Sequence, residues 1–217
     1  MADLVYYHGN KNYSSWSMRG WLALRLTGAP FREVAFHLGE PGVRERIRQH
    51  SPSGKVPALR HGELVIWDSL AIVEYLAELF PGAGLWPRDP AARAVARSVG
   101  AEMHSGFPAL RAEMPFNVRR SSPGKGRGPG VVEDVARITA IWRSCRADHG
   151  AAGRFLFGDY CAADVLYAPV VSRFRTYDVE LDGLCADYAG AVWEQPHVVE
   201  WRRAAEAENW VEPEFDL

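Results

Sequence analysis

Apolar and polar residues alternate in short runs over the first eighty positions and then fall into longer helical spacings, so the chain carries two patterns in series. Leu4 to His8 is a β-prone run. From Ser14 to Thr27, Trp16, Trp21, Leu22, Leu24 and Leu26 stand at mixed helical spacing, and Gly28-Ala29-Pro30 supplies the stop. Phe31 to Phe36 alternates as a half-buried strand would, with Phe31, Val34 and Phe36 apolar around Arg32 and Glu33. Val43 to Gln49 predicts a short helix between Gly42 and the breaker-rich Ser51-Pro52-Ser53-Gly54. Val56 to Arg60 and Glu63 to Trp67, parted by His61-Gly62, predict a hairpin. Asp68-Ser69 then opens an amphipathic helix carrying Leu70, Ile72, Val73, Tyr75, Leu76 and Leu79. The order β-α-β-α-β-β-α makes a small mixed sheet covered by helices.

Pro81, Pro87 and Pro90, with Gly82 and Gly84, punctuate the next stretch, and no strand pattern follows. The expected division is therefore an α/β domain over 1–80 and an all-helical domain over 89–217. Helices are expected near 91–114, 131–149, 162–177, 186–193 and 197–207. Two segments break the pattern. Residues 119–130 are basic and rich in glycine and proline, which reads as a mobile joint between helices. The tail from Glu206 is acidic and is expected to fray unless Trp210 and Phe215 fold back on the body.

Composition narrows the function classes. Of 217 residues, 47 % are hydrophobic and 24 % charged, which is ordinary globular usage. A formal net charge of -2 argues against nucleic acid as a partner, because neutralising many phosphates calls for a basic excess. No apolar run approaches the roughly 18 residues of a spanning helix. The start Met1-Ala2-Asp3-Leu4-Val5 lacks the basic and apolar regions of a signal peptide, so a cytoplasmic protein with no membrane contact is expected. Cys145, Cys161 and Cys185 are odd in number and far apart, and the seven histidines show no ligand spacing, so no metal site is expected. The one glycine of Gly9-Asn10-Lys11-Asn12 makes no phosphate loop.

Three stations could carry chemistry. Ser14, Ser15 and Ser17 stand at the start of the first helix, where unpaired backbone N–H groups and the positive end of the helix dipole favour an anion. Val56-Pro57 opens the hairpin, and a cis bond there would turn the Val56 amide and carbonyl outward to pair with an extended peptide. Asp68-Ser69 offers a carboxylate to an ammonium, and a hydroxyl plus helix-terminal amides to a carboxylate. Each taken singly is also an ordinary cap or turn.

Together these stations resemble the glutathione transferase family. Ser14-Ser15, Val56-Pro57-Ala58-Leu59 and Asp68-Ser69-Leu70-Ala71-Ile72-Val73-Glu74-Tyr75-Leu76 fall where that family's thioredoxin-like domain carries its hydroxyl residue, its cis-proline and its third-helix pair. Gly158-Asp159-Tyr160-Cys161-Ala162-Ala163-Asp164 resembles the capping box of the family's helical domain, with Cys161 where Ser or Thr is usual. The resemblance implies a thioredoxin-like N-terminal domain plus an all-α C-terminal domain that walls in a hydrophobic electrophile. It further implies glutathione as co-substrate at Lys55, Val56, Pro57, Asp68 and Ser69, thiolate stabilisation by Ser14 or Ser15 with Ser14 ranked first, and a homodimer.

Within the family, Ser14-Ser15-Trp16-Ser17-Met18-Arg19 is most similar to the zeta-class motif, whose cysteine is replaced here by Trp16. That replacement ranks conjugation of an electrophile first and zeta-type cis–trans isomerisation second. A non-catalytic interaction module of the same fold is the reading from another class. Arg173 and Arg175 read as a solvated helix face, with substrate-carboxylate binding as the alternative, and Thr176 stands at the position matching the family's cation. The energetics of a serine-type site close. Lowering a thiol pKa from roughly 8.5 by about 2 units takes roughly 2.7 kcal/mol. One hydrogen bond to the charged sulfur contributes about 1.5–3 kcal/mol and a helix N-terminus about 0.3–1 more.

Overall fold

The computed structural model describes residues 3–212, so Phe215 lies outside the described residues. The chain forms two compact units, one running to Leu85 and resuming at Glu200, the other spanning Trp86–Val199. In the first, β1 (Leu4–Gly9), α1 (Ser15–Thr27), β2 (Arg32–Phe36), α2 (Val43–Arg48), β3 (Ala58–His61), β4 (Leu64–Trp67) and α3 (Ser69–Leu79) follow in the expected order. The sheet order is β2-β1-β3-β4; β1 runs parallel to β2 and antiparallel to β3, and β3 runs antiparallel to β4. This is the thioredoxin-like arrangement. The parallel pair needs a crossover, which α1 supplies, whereas His61 and Gly62 suffice to turn β3 into β4.

β1 is buried at every position, which is why its sequence is a continuous run without alternation. Val5 and Tyr7 pack with Phe36, Val43, Ile47 and Ala58, so one side of the sheet closes on α2. Tyr6 turns the other way, and its hydroxyl donates to the Ser17 carbonyl of α1 at 2.6 Å. Gly20 makes that approach possible, because a Cβ there would lie 2.5 Å from the Tyr6 oxygen. Gly28 ends α1 with φ 69°, the left-handed stop expected from its sequence.

The second unit contains α4 (Pro90–Ser105), α5 (Pro108–Glu113), α6 (Val131–His149), α7 (Ala162–Tyr177) and α8 (Gly183–Glu194). The division between the units falls within α9 (Pro196–Ala207). The single helix expected over 91–114 is two, since Gly106 is extended, Phe107 takes φ 61° and Pro108 lacks the N–H that would continue the ladder. α7 is buried along most of its length. At its start the Asp164 carboxylate accepts the N–H groups of Leu156 at 3.1 Å and Cys161 at 2.9 Å. Burial pushes Asp164 up to about 6 against the downward pull of those bonds.

Four expectations are corrected here. Arg173 is not on a solvated face: it is buried, its Nε donates to the Met114 carbonyl at 2.8 Å, and burial lowers its guanidinium to about 9. Arg175 remains exposed, with its guanidinium 4.8 Å from the Trp193 ring. The basic joint is tied down, as Ser122 N–H donates to the Thr176 carbonyl at 2.6 Å and Gly124 N–H to the Tyr177 carbonyl at 3.4 Å. The acidic tail is not frayed over its described part. Trp210 stacks on His37 with ring centroids 5.3 Å apart, and Glu212 is buried. Residues 200–212, placed by the sequence in the helical domain, pack with the first unit.

The Gly20–Tyr6 contact yields a test. Gly20→Ala should lower unfolding free energy by about 1–3 kcal/mol in a denaturant titration, the usual cost of overpacking a filled core, despite alanine's better helix propensity.

Candidate active site

The site begins where β1 must turn into α1. Asn10 and Asn12 are fully buried in this turn, and the N–H groups of Tyr13 and Ser14 both donate to the Asn10 carbonyl, at 3.3 and 2.9 Å. Ser14 caps α1: its Oγ accepts from Ser17 N–H at 3.2 Å and donates to Ser17 Oγ at 2.7 Å. Ser17 Oγ in turn accepts from Gly9 N–H at 3.0 Å, so Ser17 joins the strand end to the helix start rather than bonding only its own helix. Ser14 and Ser15 each keep 5 % exposure. Tyr6 is spent on the Ser17 carbonyl, and the Tyr7 hydroxyl accepts from Arg60 Nε at 3.4 Å, so both first-strand tyrosine hydroxyls are already engaged.

Charges brace the same turn. Glu33 on β2 lies 2.7 Å from Lys11 Nζ and 3.2 Å from His8 Nε2, while the Lys11 ammonium sits 5.2 Å from the Trp21 ring and 5.3 Å from the Trp201 ring. Burial alone would raise the Glu33 pKa, but the hydrogen bonds from His8 and Lys11 and the Lys11 charge outweigh it and hold the carboxyl at about 2.

The other half of the site is the start of α3. Asp68 is its cap, accepting Leu70 N–H at 2.8 Å, and takes φ 75° and ψ 135°, a conformation that side-chain-bearing residues rarely adopt. Ser69 is 1 % exposed, and its Oγ has no hydrogen-bond partner among the described residues. The Val56-Pro57 bond is cis. Lys55, Val56, Pro57, Asp68 and Ser69 all line one cavity of about 390 Å³, together with Trp16, Ser53 and Trp67.

The structure thus brings the five expected binding residues together. Ser14 and Ser15 do not line that cavity; Trp16, the next residue of α1, does. Trp16 and Trp67 entered no expected site. Trp67 is 46 % exposed at the end of β4, and an exposed indole beside a helix cap is the signal that could have found it. The Arg19 guanidinium lies 4.6 Å from the Trp16 ring and steadies it.

The model of the glutathione S-transferase N-terminal domain matches residues 13–79, a span that holds the serines, the cis-proline and the α3 cap. A maleylpyruvate isomerase from Ralstonia sp is 33 % identical over 192 residues, covering 79 % of this chain and 85 % of that protein. The chain belongs to the glutathione transferase family. A probable maleylacetoacetate isomerase from Caenorhabditis elegans is 33 % identical over 178 residues, with 82 % of this chain and 81 % of that protein covered. Among solved structures, a glutathione transferase homolog from Burkholderia with bound glutathione shares the fold at a TM-score of 0.70 and 23 % identity, over 95 % of this chain and 100 % of that one. The zeta-like first-helix motif of this transferase agrees with the isomerases among its relatives.

The Glu33 cluster makes the site's foundation acid-sensitive. A carboxyl held at about 2 against an ordinary 4.5 contributes stability that is present above pH 4.5 and lost as pH falls toward 2. Glu33→Gln should flatten that limb of the stability–pH curve, read by thermal unfolding between pH 2 and 6.

Proposed function

We propose that this transferase is a glutathione-dependent cis–trans isomerase of the zeta type, acting on a conjugated cis-alkenoic acid of maleyl character. What supports this over the conjugation ranked first from sequence is the run of relatives named as maleylpyruvate and maleylacetoacetate isomerases that span most of the chain. Trp16 does not stand against it. Isomerisation needs a thiolate that adds and leaves, and the co-substrate carries that thiol, so a protein cysteine is dispensable.

The observation that carries glutathione is the buried Ser69 Oγ, which lacks a partner among the described residues in a cavity shared with Asp68, Val56 and Lys55. An orphaned buried hydroxyl is costly, and a ligand carboxylate relieves it. Asp68 then receives the γ-glutamyl ammonium, Ser69 and the α3 N-terminus its carboxylate, the Val56 main chain the cysteinyl amide, and Lys55 the remaining negative end. When bound, glutathione supplies a thiolate that adds reversibly to one carbon of the cis double bond, frees rotation about it and departs.

Ser14 holds the sulfur in its anionic form, with Ser15 second. The Ser14 proton rests on Ser17 Oγ, a neutral acceptor, in a bond of about 1 kcal/mol net. A thiolate is the stronger acceptor, since bonds to charged groups contribute about 1.5–3 kcal/mol, so the hydroxyl turns to it without any neighbouring base.

The reaction is tested by following maleylpyruvate by proton NMR with and without glutathione. Glutathione-dependent appearance of the trans isomer is expected. Conjugation of a generic aryl halide with no isomerisation would replace this reading by the transferase one. Ser69→Ala should weaken glutathione binding about tenfold in calorimetry, the worth of one hydrogen bond to a charged group. Ser14→Ala should raise the pKa of the bound thiol by roughly 1–2 units, read from its ultraviolet thiolate band, and a shift in Ser15→Ala alone would transfer the role.

A further inference from the structure

The segment from Trp201 to Glu212 lies far in sequence from the site, yet its polar groups meet the turn that delivers Ser14. That turn is neither strand nor helix, so its buried N–H groups must find acceptors outside any ladder. Glu208 provides two at once: Lys11 N–H donates to Oε1 at 2.8 Å and Asn12 N–H to Oε2 at 3.1 Å. The Lys11 carbonyl accepts from Trp201 Nε1 at 3.1 Å. Glu212 Oε1 accepts from Asn10 Nδ2 at 2.9 Å and from Gly39 N–H at 2.8 Å, and lies 3.3 Å from His37 Nε2. Asn10 is the residue whose carbonyl collects the Tyr13 and Ser14 N–H groups, and its Oδ1 accepts from Leu38 N–H at 2.8 Å.

We infer that Glu208 and Glu212 are positioning residues for the thiolate-holding turn, the C-terminal segment acting as a clamp that sets where the Ser14 and Ser15 hydroxyls point. The inference rests on the serine reading given above. Both glutamates act in it as fixed acceptors. Glu208 uses one oxygen per N–H of consecutive residues, which forces those two peptide planes to converge on one point, and Glu212 holds Asn10 from the other side. A displacement of the turn by a fraction of an ångström redirects the first-turn hydroxyls while leaving the Asp68–Ser69 cavity unchanged. A glutamine at 208 keeps the shape and length of the side chain but turns an NH2 toward one of the two N–H donors.

The test uses full-length Glu208→Gln, Glu208→Ala and Glu212→Gln, with Glu206→Gln, exposed on α9 and outside these contacts, as control. Glutathione calorimetry, the bound-thiolate absorbance against pH, kcat and KM for isomerisation and thermal unfolding are measured on each. Glu206→Gln should match wild type. In Glu208→Gln the bound thiol should titrate at higher pH, with a roughly tenfold smaller thiolate fraction at neutral pH and a similar fall in kcat, while glutathione affinity stays within a few-fold. Glu212→Gln should move the same readouts in the same direction, and both glutamine variants decide the matter if Glu208→Ala does not fold. Lower unfolding temperatures with an unchanged thiolate titration would overturn the proposal and leave the clamp as packing only. Absence of the thiolate band in wild type would instead remove the serine reading, and this proposal with it. A wild-type band that persists unchanged in the glutamine variants removes the proposal alone.

Discussion

The passage from β1 into α1 has to be made inside the protein, and the structure depends on how its backbone is satisfied there. Asn10 and Asn12 are fully buried, in a turn with no ladder to complete. Every N–H and C=O of such a turn left without a partner costs about 1–3 kcal/mol, a sizeable part of a domain's whole stability. Its backbone partners come from the helix it leads into, through Ser14 and Ser17, and from the last helix and tail, through Trp201 and Glu208, while Glu33, Leu38 and Glu212 hold the side chains of Lys11 and Asn10. The unit that holds the candidate site is therefore closed by residues 200–212.

The two ends of the site share one device. Ser14 caps α1 and Asp68 caps α3, each satisfying a first-turn N–H with a side-chain oxygen. A residue already required at a helix start is placed, at no further cost in fold, beside amides and a dipole that favour anions. Asp68 adds backbone strain, with φ 75°, and strain of this kind persists where the surroundings over-determine the conformation. The neighbouring Ser69 is buried in the same cavity, its Oγ without a partner among the described residues. Both are local departures from the most stable choice, concentrated where the ligand is proposed to bind.

Trp16 separates this chain from the motif it most resembles. In place of a small thiol it sets an indole against the cavity, steadied by Arg19. The surface offered to the cavity at this position becomes flat and apolar.

The sequence by itself determined the order of elements in the first unit and the Gly28 stop, because each rests on local rules of alternation and turn chemistry acting over a few residues; it narrowed the helix caps to the first-helix serines and to Asp68 or Ser69, and the five residues that line one cavity were implied by the family resemblance those stations carry. It placed one helix over 91–114, where Phe107 in a left-handed conformation splits it, and it put Arg173 in solvent, where burial against the Met114 carbonyl decides otherwise. Those outcomes depend on what packs over a residue. Periodicity reports which face is apolar, not what covers it. The tail shows the limit most plainly. Glu208 and Glu212 are indistinguishable in sequence from solvated acids, and only a fold that returns the chain to its own beginning, some two hundred positions back, makes them the acceptors for Lys11, Asn12 and Asn10. Pairing across such a separation has no local signature, because it is selected by the unmet hydrogen bonds of a distant turn and not by the residues around the glutamates themselves.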